Sequence, residues 1–382
     1  MSFDNIQASR ILLRILSACG LWPEDTISRR WFSEYSHCYR YVLHFLLTFV
    51  YTSLMWVEVL LSTDFAHTID VLFITLTETA LCVKIYNNWR YAHKVQELLT
   101  EWSSSQQFEL RSSDECKMWQ REQRKFGLII KGYIGCSEGV VPCLFLSVLV
   151  NFPNELPVWI WTPFDWHQPR MFWLVYAYTL LSLSFTCISN ISLDMLNCYM
   201  MLHLSLCLRL LGLRLEKLQP ADELHLREQF VENVSLHRRI KSQAQLVENY
   251  ISNTTTIQIL LSSIILCLSI YRMQLLNILE YPGIVAAMLQ YCVSMTLQIY
   301  VPSFYGNEIT YYSNQLTKAA YFSQWPPMSS KMRHLICVFM TYLNRPLKLR
   351  AGGFFDIGLP LFTKTMNQAY SLLALLLNLN NN

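Results

Sequence analysis

Apolar residues in this chain come in blocks of one characteristic length. Seven can be drawn, at about 41–61, 68–86, 126–150, 171–200, 255–276, 283–305 and 354–377. Each reaches the roughly 20 residues a helix needs to cross about 30 Å of hydrocarbon. Polar or Pro-containing stretches at 62–68, 151–170 and 280–283 separate some of them. Blocks this long are rare in soluble cores. The pattern predicts an all-α, polytopic membrane protein with seven transmembrane helices. Between and beyond the blocks, 220–250 and 309–343 read as amphipathic helices suited to packing on one another or on another subunit.

Orientation follows from the basic residues. All but three of the 30 Lys and Arg fall before the first block, around 84–131, in 209–241 or in 318–350; the exceptions are Arg170, Arg272 and Lys364. The basic face is the cytoplasmic one. That puts the N-terminus inside, the C-terminus outside, and a layer of helices (306–353 among them) in the cytoplasm. The stretch 151–170 becomes the main outer loop. Its Trp159, Trp161 and Trp166, with Trp173 just beyond, suit the headgroup level, and the loop could also cap a pocket.

Composition removes several classes. Only 15% of residues are charged, against about 25% in a globular chain, and a net charge of +3 gives nucleic acid no footprint. Arg10 and Arg14 interrupt residues 1–20, so no cleavable signal is expected. Ile6, Ile11, Leu12, Leu13, Ile15 and Leu16 instead form one face of a helix, lying at the inner interface or packed on the body. The 12 cysteines fall in blocks or on the basic side, which predicts free thiols. No glycine loop, Cys-x-x-Cys or His-Glu-x-x-His motif is present. His203 and Cys207 share a helix face without a further ligand, and Asp165 and His167 lack a nucleophile. No catalytic residue, metal site or cofactor is expected, and the chain is not read as an enzyme.

Binding chemistry is expected in the first six spans (41–305). Cys136, Gly139 and Cys143 share one face of span three, which also carries Gly127, Gly132, Gly135 and Pro142. With Phe73 and Thr77 of span two, Tyr178 and Phe185 of span four and Tyr291 of span six, that face outlines an apolar, aromatic pocket in the outer half of the bundle. Such a pocket fits a small volatile or lipophilic ligand. Glu78 and Glu138 lie inside spans, where an ionisable group either lines a polar cavity or is a hydrogen-bonded packing element. Asp194 is expected at the inner interface. In the last block (354–377), Leu372, Leu373, Leu375, Leu376 and Leu377 would form a dewetting constriction around a symmetry axis, or meet lipid in a monomer.

One run is more specific. Thr341 through Asn344-Arg345-Pro346 and Arg350-Ala351-Gly352-Gly353 to Phe355, continuing over Phe362-Thr363-Lys364 to Ala369-Tyr370-Ser371, resembles the C-terminal signature of insect odorant receptors. Gly306-Asn307-Glu308, with Ala319, Ala320, Tyr321 and Trp325 following, is similar to the same family. So are Gly20-Leu21-Trp22-Pro23 and Pro163-Phe164-Asp165-Trp166. The resemblance implies a subunit of an odorant-gated, non-selective cation channel in the plasma membrane of a sensory dendrite. In that family a tuning subunit forms a heterotetramer with a shared co-receptor. Span seven lines the one central pore, and the cytoplasmic helices anchor the subunits together. The family's gate positions would fall at Leu373 and Leu377, with Leu376 beside them. The co-receptor carries Gln where Leu376 stands and a long insertion between spans four and five. Both departures point to a tuning subunit. A G-protein-coupled receptor would need an outer N-terminus and has no Asp-Arg-Tyr or Asn-Pro-x-x-Tyr here. The gustatory branch of the superfamily ends on a different pattern from Ala369-Tyr370 and Leu376-Leu377.

Overall fold

The computed structural model describes residues 6–22, 33–219, 223–276 and 279–380. Its helices are α1 (Gln7–Ala18), α2 (Ser33–His44), α3 (Tyr51–Leu61), α4 (Phe65–Ser104), α5 (Ser113–Glu138), α6 (Val140–Asn151), α7 (Pro169–Glu216), α8 (Glu223–Leu275), α9 (Pro282–Phe322), α10 (Ser330–Leu343) and α11 (Leu359–Asn380). The π-helical turns of Phe45–Val50 join α2 to α3, and α5 runs into α6 through Gly139. Helix starts follow local chemistry. Pro169 and Pro282 open α7 and α9, where a missing N–H costs nothing. The Asp64 side chain accepts from the first amides of α4, and Ser112 with Glu115 makes a capping box for α5.

Four helices are far longer than a bilayer. At 1.5 Å per residue, α4, α7, α8 and α9 extend roughly 60 to 80 Å, about twice the hydrocarbon thickness. Their surplus turns build a helical layer on the basic side. Tyr39–Leu61, Ser113–Asn151, α7, α8 and α9 are both long and apolar enough to cross a membrane. α4 and α11 are long enough as well but carry more polar residues.

The basic-side layer holds the main core. Every residue of α7 from 191 to 208 is buried, including the polar Ser192, Asp194, Asn197, His203 and Ser205, so neighbouring elements enclose this stretch on all sides. Trp102 and Trp119 are fully buried there, and the Trp102 indole donates to Gln243 at 2.9 Å. α1 packs on this layer rather than lying free at an interface: Leu12 and Leu16 are completely covered, and the Ala8 amide donates to Gln123 at 3.1 Å. Pro302 lies inside α9 and deprives the Gln298 carbonyl of its helical donor. The Gln258 side chain of α8 supplies the replacement at 3.0 Å. Among the described residues every cysteine is a free thiol.

The seventh block begins later than its hydropathy suggests. Arg350–Ala351 (β1) pairs antiparallel with Phe355–Asp356 (β2), and the helix starts only at Leu359. Gly352 and Gly353 sit at φ of +60° and +76°, a reversal that side chains with a Cβ rarely make. The Gly352 amide donates to Ser252 of α8, and Lys348 and Arg350 both bind Asp356. Gly306 explains a second part of the signature, since a Cβ there would run into the backbone of Ile357.

Candidate functional site

A cavity of about 480 Å³ lies between α4, α5, α6, α7 and α9, with Arg272 and Leu276 from the end of α8. Its wall is largely apolar and aromatic. Phe73 of α4 meets Tyr291 of α9 edge-on, with ring centroids 5.4 Å apart, and the Tyr291 hydroxyl is 2.7 Å from the Thr77 hydroxyl. These three expected residues line the cavity.

The other five do not. Cys136 and Gly139 turn toward α9, where the Gln290 amide donates to the Cys136 carbonyl and would block any Cβ at Gly139. Cys143 reaches the Gly283 carbonyl. The face of α5 and α6 that lines the cavity is the adjacent one, carrying Tyr133, Ser137, Val140, Val141, Leu144 and Val148. Tyr178 and Phe185 face span one: the Tyr178 hydroxyl donates to the Leu46 carbonyl at 2.8 Å, and Phe185 packs on His44. α7 presents Leu183, Thr186, Cys187 and Asn190 to the cavity instead. Gly127, Gly132 and Gly135 have no neighbour where a Cβ would be, so they hold no helix close.

The outer loop covers part of the top. Leu156, Val158 and Ile160 point inward and are almost fully buried, and the Trp161 amide donates to the Leu54 carbonyl. Trp159 lines the cavity and packs on His67 and Trp166, while Trp173 stays exposed. Alternation of apolar residues at 156, 158 and 160 was the available signal for this inward strand-like run. Near the mouth, Arg272 pairs with Asp70 and His67 with Glu58.

The floor is polar. Lys84 of α4 donates to both oxygens of Asp194 on α7, at 2.7 and 2.9 Å, and to Asn190 at 2.8 Å. Gln298 donates to Asp194 at 2.6 Å. Asn190 and Gln298 line the cavity above this pair. Asp194 is therefore buried in an ion pair rather than placed at an interface. In the basic-side layer, His203 stacks on Trp102 at 3.9 Å, and Trp119 and Phe108 close around it. Burial pushes its pKa down to about 3. No cluster of metal-ligand side chains occurs among the described residues.

In α11, Leu361, Thr365, Ala369 and Leu373 form the buried stripe. Leu373 sits against Cys267 and Tyr271 of α8 and Ile69 of α4, with Leu376 and Leu377 half-buried beside it. The outward face carries Lys364, Asn367, Gln368, Ser371, Leu372 and Leu375.

Fold and cavity together define a multi-span helical membrane protein with a ligand-sized chamber between its spans. The profile described as 7tm Odorant receptor matches residues 64–370. Odorant receptor 94a of Drosophila melanogaster is 40% identical over 382 residues, covering 99% of each chain. Odorant receptor 46a, isoform A, from the same fly is 24% identical over 98% of this chain and 97% of its own length. The insect olfactory receptor OR5 from Machilis hrabei shares the fold, with a TM-score of 0.87 over 98% of both chains at 18% identity. The same receptor in complex with eugenol aligns equally well, over 99% of this chain and 100% of that one, at 20% identity. The chain belongs to the odorant receptor family, which is not a family of enzymes.

Proposed function

We propose that this chain is the odorant-tuning subunit of a ligand-gated, non-selective cation channel, working as a heterotetramer with a shared co-receptor. The observation that carries the reading is the largely apolar cavity between the spans, in a chain whose full-length relatives are odorant receptors and whose fold is that of a receptor solved with eugenol. The lopsided Lys and Arg distribution supports a plasma-membrane orientation with the N-terminus in the cytoplasm and the C-terminus outside. The polar strip on the outward face of α11 suits a water-filled conduit better than lipid.

Gating, in this reading, moves Leu373 and Leu377, with Leu376 alongside, between their seat on α8 and the pore axis. The seat and the cavity share neighbours. Ile69 and Tyr271 hold Leu373, while Asp70 and Arg272, next in sequence, pair at the cavity. A ligand that binds one arrangement of α4 and α8 more tightly shifts α11 with it. The test is co-expression with the family's co-receptor and recording of currents against a chemically broad odorant panel. Odorant-evoked, concentration-dependent cation current that needs both chains is expected. Ligand-evoked responses that need a G protein and persist without the co-receptor would overturn the channel reading.

A further inference from the structure

Two side chains of the cavity wall each carry a buried oxygen with no hydrogen-bond partner. Glu78 is 4% exposed; its Oε1 accepts from the Thr186 hydroxyl at 2.8 Å, and its Oε2 is buried with no hydrogen bond. Ser137, on α5, is 5% exposed, and its Oγ is likewise buried and unpaired. Both line the same cavity. Other polar groups there are engaged with protein partners: Tyr291 with Thr77, Gln298 and Asn190 with the Asp194–Lys84 pair, Arg272 with Asp70 and His67 with Glu58. Buried polar groups in folded proteins are nearly always hydrogen-bonded, and one left without a partner in an apolar wall is destabilising. A ligand can supply what the fold withholds.

We propose that Glu78 and Ser137 are the polar anchor of the cavity, and that they select small molecules with an apolar body and one hydroxyl group, an alcohol or a phenol. A hydroxyl combines a donor and an acceptor on one atom. Its hydrogen goes to Glu78 Oε2, and its lone pair accepts from the Ser137 hydroxyl. An ether keeps only the acceptor, and a hydrocarbon offers neither. Both still fill the apolar wall around Phe73, Leu183 and Met288. This selection rests on the cavity being the odorant site.

The experiment records dose–response curves from the channel co-expressed with its co-receptor. Three matched series serve as probes: 1-hexanol, 2-phenylethanol and 4-methylphenol, their methyl ethers, and the parent hydrocarbons. In the wild type at least one hydroxyl compound should act at concentrations about tenfold or more below its ether, the effect of one buried hydrogen bond. Ser137→Ala should narrow that ratio several-fold, and Glu78→Met should abolish it while hydrocarbon responses persist. Surface labelling checks that each variant reaches the membrane. If Glu78→Met does not, Ser137→Ala decides. Ethers as potent as alcohols in the wild type, or a ratio untouched by Ser137→Ala, would overturn the anchor alone. Absence of current from all three series would overturn the reading of the cavity itself.

Discussion

Lys84→Met is the most severe single change the structure points to. Lys84 and Asp194 have side chains only 3% and 2% exposed, and the ammonium gives three hydrogen bonds at 2.7 to 2.9 Å. Removing it leaves a buried carboxylate held by Gln298 alone. Breaking one side of a buried pair costs about 3–5 kcal/mol, because the remaining charge is uncompensated. For a chain of this size that corresponds to a loss of roughly 4–6 °C in melting temperature. Replacing both partners, Lys84→Met with Asp194→Leu, removes the orphaned charge and should recover most of the loss. Fluorescence-monitored melting of the detergent-solubilised protein gives the comparison. A single variant that melts with the wild type, or a double variant less stable than either single one, would refute the reasoning.

Other outcomes follow from other parts of the fold. Gly306→Ala should destabilise by about 1–3 kcal/mol, because the obstacle is the Ile357 backbone, whereas Gly132→Ala, with open space at its Cβ, should be neutral or mildly stabilising; the same melting assay separates them. His203 and His237, in the basic-side layer, are buried with pKa values lowered to about 3 and about 4, His237 with help from Lys241. Both are neutral when folded, so their contribution is full above the unfolded value near 6.5 and is lost as pH falls below it. Each accounts for about 2 kcal/mol by pH 5. His203→Phe should flatten the fall in melting temperature between pH 7.5 and 5, and an unchanged slope would count against this. Leu373→Asn should change basal current in the co-expressed channel, and identical currents at equal surface level would remove Leu373 from the gate.

Much of this architecture was legible from block length alone, because a helix crossing hydrocarbon must be long and apolar. The face each helix shows was less so. Helical spacing groups Cys136, Gly139 and Cys143 correctly, but it cannot say that Gln290 claims that face and leaves the adjacent Ser137 face to the cavity. Tyr178 and Phe185 were misplaced for the same reason: span one covers them. The Lys84–Asp194 pair joins residues 110 apart in sequence, and nothing local marks either as a partner of the other. The hairpin was hidden because Phe354 and Phe355 read as membrane-apolar, although Gly352 and Gly353 already spelled out a turn.

The central claim is that the cavity between α4 and α9 is where odorant acts on the channel. Ala287 lines it from α9 and is 1% exposed, so Ala287→Phe fills space that a ligand would need. Dose–response curves for this variant, co-expressed with the co-receptor and matched for surface level, test the claim most directly. Activating odorants should lose about tenfold or more in potency while basal current stays the same. Unchanged curves for every activating odorant would contradict it.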